Sequence, residues 1–116
     1  MASPEMFDSV IYNVTGFFKG EAHVMDTNGK RGVKTLKYLT HTPDLAVVML
    51  PPKDSIEQVE NGAKMGIKAF ILLTGGFKRL QRKQLSELRR EYRVRILGPN
   101  TILGVINTSN GLNTTF

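Results

Sequence analysis

Four short stretches of this chain hold residue types suited to gripping a ligand through the backbone. They are residues 26–30 (Asp-Thr-Asn-Gly-Lys), 50–53 (Leu-Pro-Pro-Lys), 74–77 (Thr-Gly-Gly-Phe) and 98–101 (Gly-Pro-Asn-Thr). Glycine lets a ligand approach the main chain closely, and turns that lead into helices present backbone N–H groups to anions. Lys30 and Lys53 add point charges. Turns also need Gly and Pro for purely conformational reasons, so any one loop says little by itself. Four on one edge of a sheet would make a shared cleft for a phosphate-bearing ligand. In the 74–77 loop, Phe77 either covers an apolar part of that ligand or packs inward behind a tight turn.

Other chemistries are poorly supplied. The chain has no cysteine, which removes disulfides, thiolate catalysis and cysteine-ligated zinc. Its two imidazoles, His23 and His41, have no carboxylate or nucleophile at motif spacing and are assigned neither catalytic nor metal roles. No cysteine and two histidines leave little with which to build a metal site. The net charge of +6 favours a polyanionic partner: a nucleotide-type cofactor, a nucleic acid or an acidic protein. Half of the 16 basic residues fall within positions 78–95: Lys78, Arg79, Arg82, Lys83, Arg89, Arg90, Arg93 and Arg95. This basic helix tracks a polyanion, is a solvated face, or contacts an acidic partner subunit. Tyr92 is its sole aromatic residue, and it carries no recognised nucleic-acid-binding pattern.

The elements that must position these loops alternate in type. With 116 residues, the chain is expected to be one domain. Residues 8–15 read as a helix from Phe7, Val10, Ile11 and Val14, and residues 22–25 as a short strand. Residues 33–41 are ambiguous. Residues 45–50 form a continuous apolar run closed by Pro51 and Pro52, the pattern of a strand buried on both faces. A helix is expected from Asp54, with Glu57 completing a capping box, Ile56, Val59 and Ala63 facing inward, and Gly66 ending it. Residues 69–73 are a second buried strand. Leu85, Leu88 and Tyr92 line the next helix, and residues 94–97 form a third strand. Alternating strands and helices give a Rossmann-like three-layer αβα fold with a mostly parallel sheet and right-handed crossovers. Such units normally open with a strand, which is not found before Met1 here. We therefore expect an N-terminally truncated chain, or one whose first strand comes from elsewhere. No run of 18 apolar residues and no signal-peptide layout is present, so a cytoplasmic location without a membrane span is expected.

Several segments occur in a telling order: residues 47–52, 66–69, 74–77, 97–101 (Leu-Gly-Pro-Asn-Thr), 104–107 (Gly-Val-Ile-Asn) and 111–116 (Gly-Leu-Asn-Thr-Thr-Phe). Together they resemble the CoA-binding domain of the NDP-forming acyl-CoA synthetases. That group includes ADP-forming acetate–CoA ligases, the related protein-lysine acetyltransferases and, more distantly, the succinyl-CoA synthetase alpha subunit. The resemblance runs from Ala2 to Phe116 and implies coenzyme A as cofactor. It places Ser3 and Pro4 at the end of a phosphate loop, with Met1 where the family has glycine. It gives Lys30 a contact to coenzyme A, Pro51 and Pro52 a turn lining it, and Leu73, Thr74 and Gly75 the loop meeting its pantetheine arm. Pro99 and Asn100 take the turn toward the reaction centre. Thr101 stands where many relatives have cysteine, and the loop after Asn100 is one residue longer than usual. The family's phosphohistidine and nucleotide grasp lie in other domains. The resemblance thus implies cofactor binding without ligation by this chain alone, and the remaining ligase domains or a partner subunit as partners. The alternatives are a dinucleotide-binding domain for NAD(P), which Asp26 would suit, or an interaction or nucleic-acid module using the basic helix.

Overall fold

The computed structural model describes residues 4–25, 39–100 and 106–114. They fall into two compact units, one built from residues 42–100 and the other from residues 4–25, 39–41 and 106–114.

The first unit is a repeating strand–helix structure. Strand β1 (Leu45–Val48) leads to helix α2 (Pro52–Met65), then β2 (Ala69–Leu72), α3 (Arg79–Tyr92) and β3 (Arg95–Leu97). The strands lie in the order β1-β2-β3, all parallel, with Val47 beside Ile71 and Ile71 beside Leu97. Parallel strands joined by helices are the Rossmann-like α/β arrangement expected from the alternation. Helices α2 and α3 pack against each other, so the unit shows the sheet and one helical layer of that architecture.

Burial follows position in the sheet. Phe70, Ile71 and Leu72 of the central strand are all buried, and β2 is paired along both edges, with β1 and with β3. Leu45, Ala46 and Val47 of β1 are only half-buried. The apolar run there had suggested burial on both faces, but among the described residues β1 pairs on one side only. The core beneath the helices joins Val59, Ala63 and Ile67 to Phe70, Leu72, Phe77, Leu85, Leu88 and Val94.

Helix α2 begins two residues before the expected site. Pro51 is its N-cap residue, Pro52 is its first residue, and no side chain caps it. Proline fixes φ in the helical range and has no N–H to leave unsatisfied, so it suits this position. Asp54 is therefore not a cap but a first-turn residue, where its negative charge meets the positive end of the helix dipole. Gly66 ends the helix as expected, at φ 107°. The inner face holds Val59 and Ala63 together with Ser55 and Gly62, while Ile56 is half-buried.

The second unit contains helix α1 (Pro4–Phe17), which extends the expected 8–15 helix at both ends, and the antiparallel pair β4 (Ile106–Asn107) and β5 (Leu112–Asn113). Asn107 and Asn110 shape the turn by accepting from the Ser109 and Leu112 amides, each at 3.0 Å. The backbone amide of Lys19 donates to the Asn110 carbonyl at 2.8 Å and joins the end of α1 to that turn. Residues 22–25 do not form the expected strand: only Met25 makes a bridge pairing, and Glu21, Ala22 and His23 are exposed without a ladder partner. Of residues 33–41, those described (39–41) are not helical; the rest lie outside the described residues. No helix among the described residues is long and apolar enough to cross a membrane.

Candidate functional site: the carboxyl edge of the parallel sheet

Because β1, β2 and β3 are parallel, their carboxyl ends open on one edge. The turns leaving them are Leu50-Pro51, Leu73-Thr74-Gly75-Gly76 and Gly98-Pro99-Asn100. Open α/β sheets bind ligands at this edge.

Thr74 binds the three turns into one surface. Its Oγ1 donates to the Leu50 carbonyl at 2.6 Å, holding the turn after β1. Its own carbonyl accepts from the Asn100 amide at 2.9 Å, holding the turn after β3. Ser55, fully buried on α2, donates a second hydroxyl to the same Leu50 carbonyl at 2.7 Å. Both lone-pair directions of that oxygen are thus available to hydroxyl donors, and the β1–α2 turn is held from two sides. The Leu73 amide continues the sheet pairing by donating to the Val48 carbonyl at 3.1 Å.

The two helix amino ends at this edge differ. At α3, Gln81 reaches back and its Oε1 accepts from the Lys78 amide at 2.8 Å. Arg82 adds a bond from Nη1 to the Phe77 carbonyl at 2.9 Å. At α2 the first turn has no side-chain cap, so its leading amides are not satisfied that way. An uncapped helix amino end is a place for an anion to sit.

Glycine keeps the middle loop bare. A Cβ on Gly75 would lie 3.0 Å from Asn100 Oδ1, a tighter approach than side chains ordinarily make. Gly76 has φ +84° and would meet nothing within 4 Å, so its backbone conformation, not crowding, calls for glycine there. Asn100 itself takes φ 63°, and the Gly98–Pro99 peptide is cis.

The structure therefore brings Pro51, Pro52, Leu73, Thr74, Gly75, Pro99 and Asn100 to one edge. Pro51 and Asn100 are exposed; Leu73 and Thr74 are buried, and the Thr74 hydroxyl is engaged within the protein. Thr74 thus holds the turns in place, while Gly75, Pro51 and Asn100 offer the accessible surface. Pro4 opens α1 in the other unit, and Ser3 and Lys30 lie outside the described residues. Phe77 packs in the core and leaves no ring to cover a ligand. Sequence reasoning missed Ser55 altogether. A lone serine between Asp54 and Ile56 carries no motif, and only its place one turn past the double proline hinted at the bond it makes.

A three-stranded parallel sheet with helical crossovers and its turns gathered at one carboxyl edge places the unit in the Rossmann-like α/β class. More narrowly, residues 20–107 match the family described as the CoA binding domain, and the chain belongs to it. Its relatives include ADP-forming acetate–CoA ligases. The chain is 30% identical over 97 residues to acetate–CoA ligase [ADP-forming] II subunit alpha of Pyrococcus furiosus, an alignment covering 78% of this chain and 21% of that protein. It is 35% identical over 101 residues to the subunit alpha of ligase I from the same organism, covering 79% and 21%. The chain thus spans about a fifth of the length of these relatives. Among solved structures it is similar to PH0766 from Pyrococcus horikoshii OT3, with a TM-score of 0.86, 26% identity, and coverage of 98% of this chain and 29% of that one. It also shares the fold of the dinucleotide-forming acetyl-coenzyme A synthetase 1 of Ca. Korarchaeum cryptofilum, with a TM-score of 0.84, 24% identity, and coverage of 98% and 27%. These findings favour the CoA-binding reading of the sequence over the dinucleotide and nucleic-acid alternatives.

Proposed function

We propose that this chain binds coenzyme A along the carboxyl edge of its parallel sheet, with residues 1–116 acting as one CoA-binding domain of an ADP-forming acid–CoA ligase in the cytoplasm. The observation that carries the proposal is the Thr74-held edge: three turns tied together, a glycine loop without side chains, and an α2 amino end that no side chain caps. This donor set suits coenzyme A, a polyanion with an apolar arm. The leading amides of α2 favour a phosphate. The bare Gly75–Gly76 backbone and the Pro51, Pro52 and Pro99 rings suit the pantetheine arm. Leu73 and Thr74 shape the loop from behind, and Asn100 offers its amide side chain at the same edge.

By resemblance, Ser3, Pro4 and Lys30 are also assigned to coenzyme A binding, Lys30 as a cation for one of its phosphates. The cofactor carries its own thiol, so a chain without cysteine can serve this role. Ligation, by this reading, uses the remaining ligase domains or a partner subunit.

Thermal unfolding of the chain titrated with coenzyme A, 3′-dephospho-coenzyme A and NAD tests the proposal. A ligand that binds only the folded state raises the midpoint by mass action, about 2.7 kcal/mol at a hundredfold excess over Kd. A dose-dependent rise with coenzyme A and none with NAD is expected. A cooperative transition indifferent to coenzyme A overturns the assignment, and a response to NAD alone returns the site to a dinucleotide.

A further inference from the structure

An asparagine amide is attacked most readily by its own backbone when glycine follows, because glycine has no Cβ to shield its nitrogen. Three such pairs occur in this chain: Asn28-Gly29, Asn61-Gly62 and Asn110-Gly111. The first lies outside the described residues, and the structure separates the other two. Asn61 sits inside helix α2, where Gly62 is buried. A helical amide at that position is turned toward the carbonyl four residues back. The Asn61 side chain leans toward the amino end of the helix, away from the amide that follows it.

Asn110 is placed the opposite way. Its Oδ1 accepts from the Leu112 amide at 3.0 Å. That bond folds the side chain back over its own following peptide and closes a ring of atoms containing both Asn110 Cγ and the Gly111 nitrogen. The Leu112 N–H also draws electron density from Cγ. It stands at the oxygen on which negative charge develops when Cγ is attacked, as in an oxyanion hole. Asn110 and Gly111 are both half-buried, within reach of water. Asn107 makes the same kind of turn with the Ser109 amide at 3.0 Å, but Thr108 follows it, and a β-branched side chain crowds the nitrogen. Nor can another residue replace Gly111, which has φ +75° and whose Cβ would overlap the Phe17 carbonyl oxygen. The turn thus demands the one residue type that leaves Asn110 open to attack.

We propose that Asn110 is a site of spontaneous deamidation promoted by the fold, through a cyclic imide formed with Gly111. The Gly111 nitrogen loses its proton to solvent base and attacks Asn110 Cγ. A C–N bond forms, and the side-chain nitrogen takes a proton from water and leaves as ammonia. Water then opens the imide. Opening at Cγ gives aspartate on the original chain path. Opening at the main-chain carbonyl gives isoaspartate, with the chain running through Cγ. In that product the carbonyl that now accepts from the Lys19 amide becomes a free carboxylate, and the turn joined to the end of α1 is longer by one carbon. The site lies in the second unit and is independent of the coenzyme A assignment.

The full chain is incubated at mildly alkaline pH in heavy-oxygen water, once folded and once in guanidinium chloride. Fragmentation mass spectrometry then follows Asn61, Asn107 and Asn110 separately. Each conversion replaces the amide NH2 by OH and carries one solvent oxygen, which marks it as formed during the incubation. In the folded chain Asn110 should convert more than about tenfold faster than Asn61, which reacts only when α2 opens locally. Asn107 should remain an amide over the same period. In denaturant Asn61 should quicken to match Asn110, while Asn110 itself gains nothing. The proposal is overturned if Asn110 converts faster unfolded than folded, since the turn would then protect it, or if folded Asn61 keeps pace with it. A product containing aspartate but no isoaspartate would also overturn it, because direct hydrolysis by water needs no attack by Gly111.

Discussion

The hydroxyl of Thr74 donates to the carbonyl of Leu50 at 2.6 Å, across 24 positions of sequence, and so fixes the loop after one strand to the turn after its neighbour. Ser55 donates to the same oxygen at 2.7 Å. Removing one donor leaves the other in place. Thr74→Val and Ser55→Ala should each cost about 1 kcal/mol, the net value of one hydrogen bond. The double variant takes both hydroxyl donors from one carbonyl, and its loss should exceed the sum of the singles by about 1 kcal/mol. Urea unfolding of the four proteins checks this; strict additivity would show that the Leu50 carbonyl does not couple the two side chains.

Gly75→Ala separates binding from stability. The added Cβ comes 3.0 Å from Asn100 Oδ1, the end of an exposed side chain that can turn aside. Stability should change by less than about 0.5 kcal/mol. The loop, however, gains a methyl group where the cofactor is proposed to lie, and coenzyme A affinity by calorimetry should fall about fivefold, or about 1 kcal/mol.

Gly62→Ala should destabilise, although alanine is the better helix former by about 1 kcal/mol. Its Cβ would stand 2.9 Å from the ring of Phe70 and 3.1 Å from Ile67 Cδ1, and both side chains are buried. Overpacking of a closed core costs about 1–3 kcal/mol. The expected net is a loss of about 1 kcal/mol, read as a lower thermal midpoint; a more stable variant would mean that the α2–β2 contact has slack.

Gly111→Ala tests the other unit. Gly111 has φ +75°, and a Cβ there would overlap the Phe17 carbonyl oxygen. Both the left-handed backbone and the collision oppose a side chain. Amide exchange should quicken along α1 and at residues 106–113, while the amides of β2 keep their protection.

The first unit was largely legible in the chain itself. Apolar runs closed by Pro51 and by Thr74-Gly75, and the shorter stretch of residues 94–97 closed by Gly98-Pro99, gave three strands, and their alternation with helices gave the parallel arrangement. Leu85, Leu88 and Gly66 marked helices for the same kind of reason. What misled was local chemistry with two solutions. Asp54 and Glu57 have the spacing of a capping box, but Pro52 starts the helix sooner. Residues 22–25 have apolar members, but a strand is made by its neighbour and only Met25 finds one. For the site, loop composition located the edge. It could not reveal that Thr74 holds that edge together, because hydrogen bonds spanning 24 residues leave no trace in spacing. Phe77 had two environments open to it, and the core took it.

The order of the strands has a consequence for how the sheet assembles. In β1-β2-β3 each strand pairs with the one made just before it, and each helix is complete before its following strand is needed. Among these three strands, none must wait for a distant partner to be inserted between two others. Loop closure therefore occurs in short steps of one helix each, which keeps the entropic barrier low and the search brief. The same sheet can form progressively as the chain leaves the ribosome, with β2 acquiring its second neighbour last.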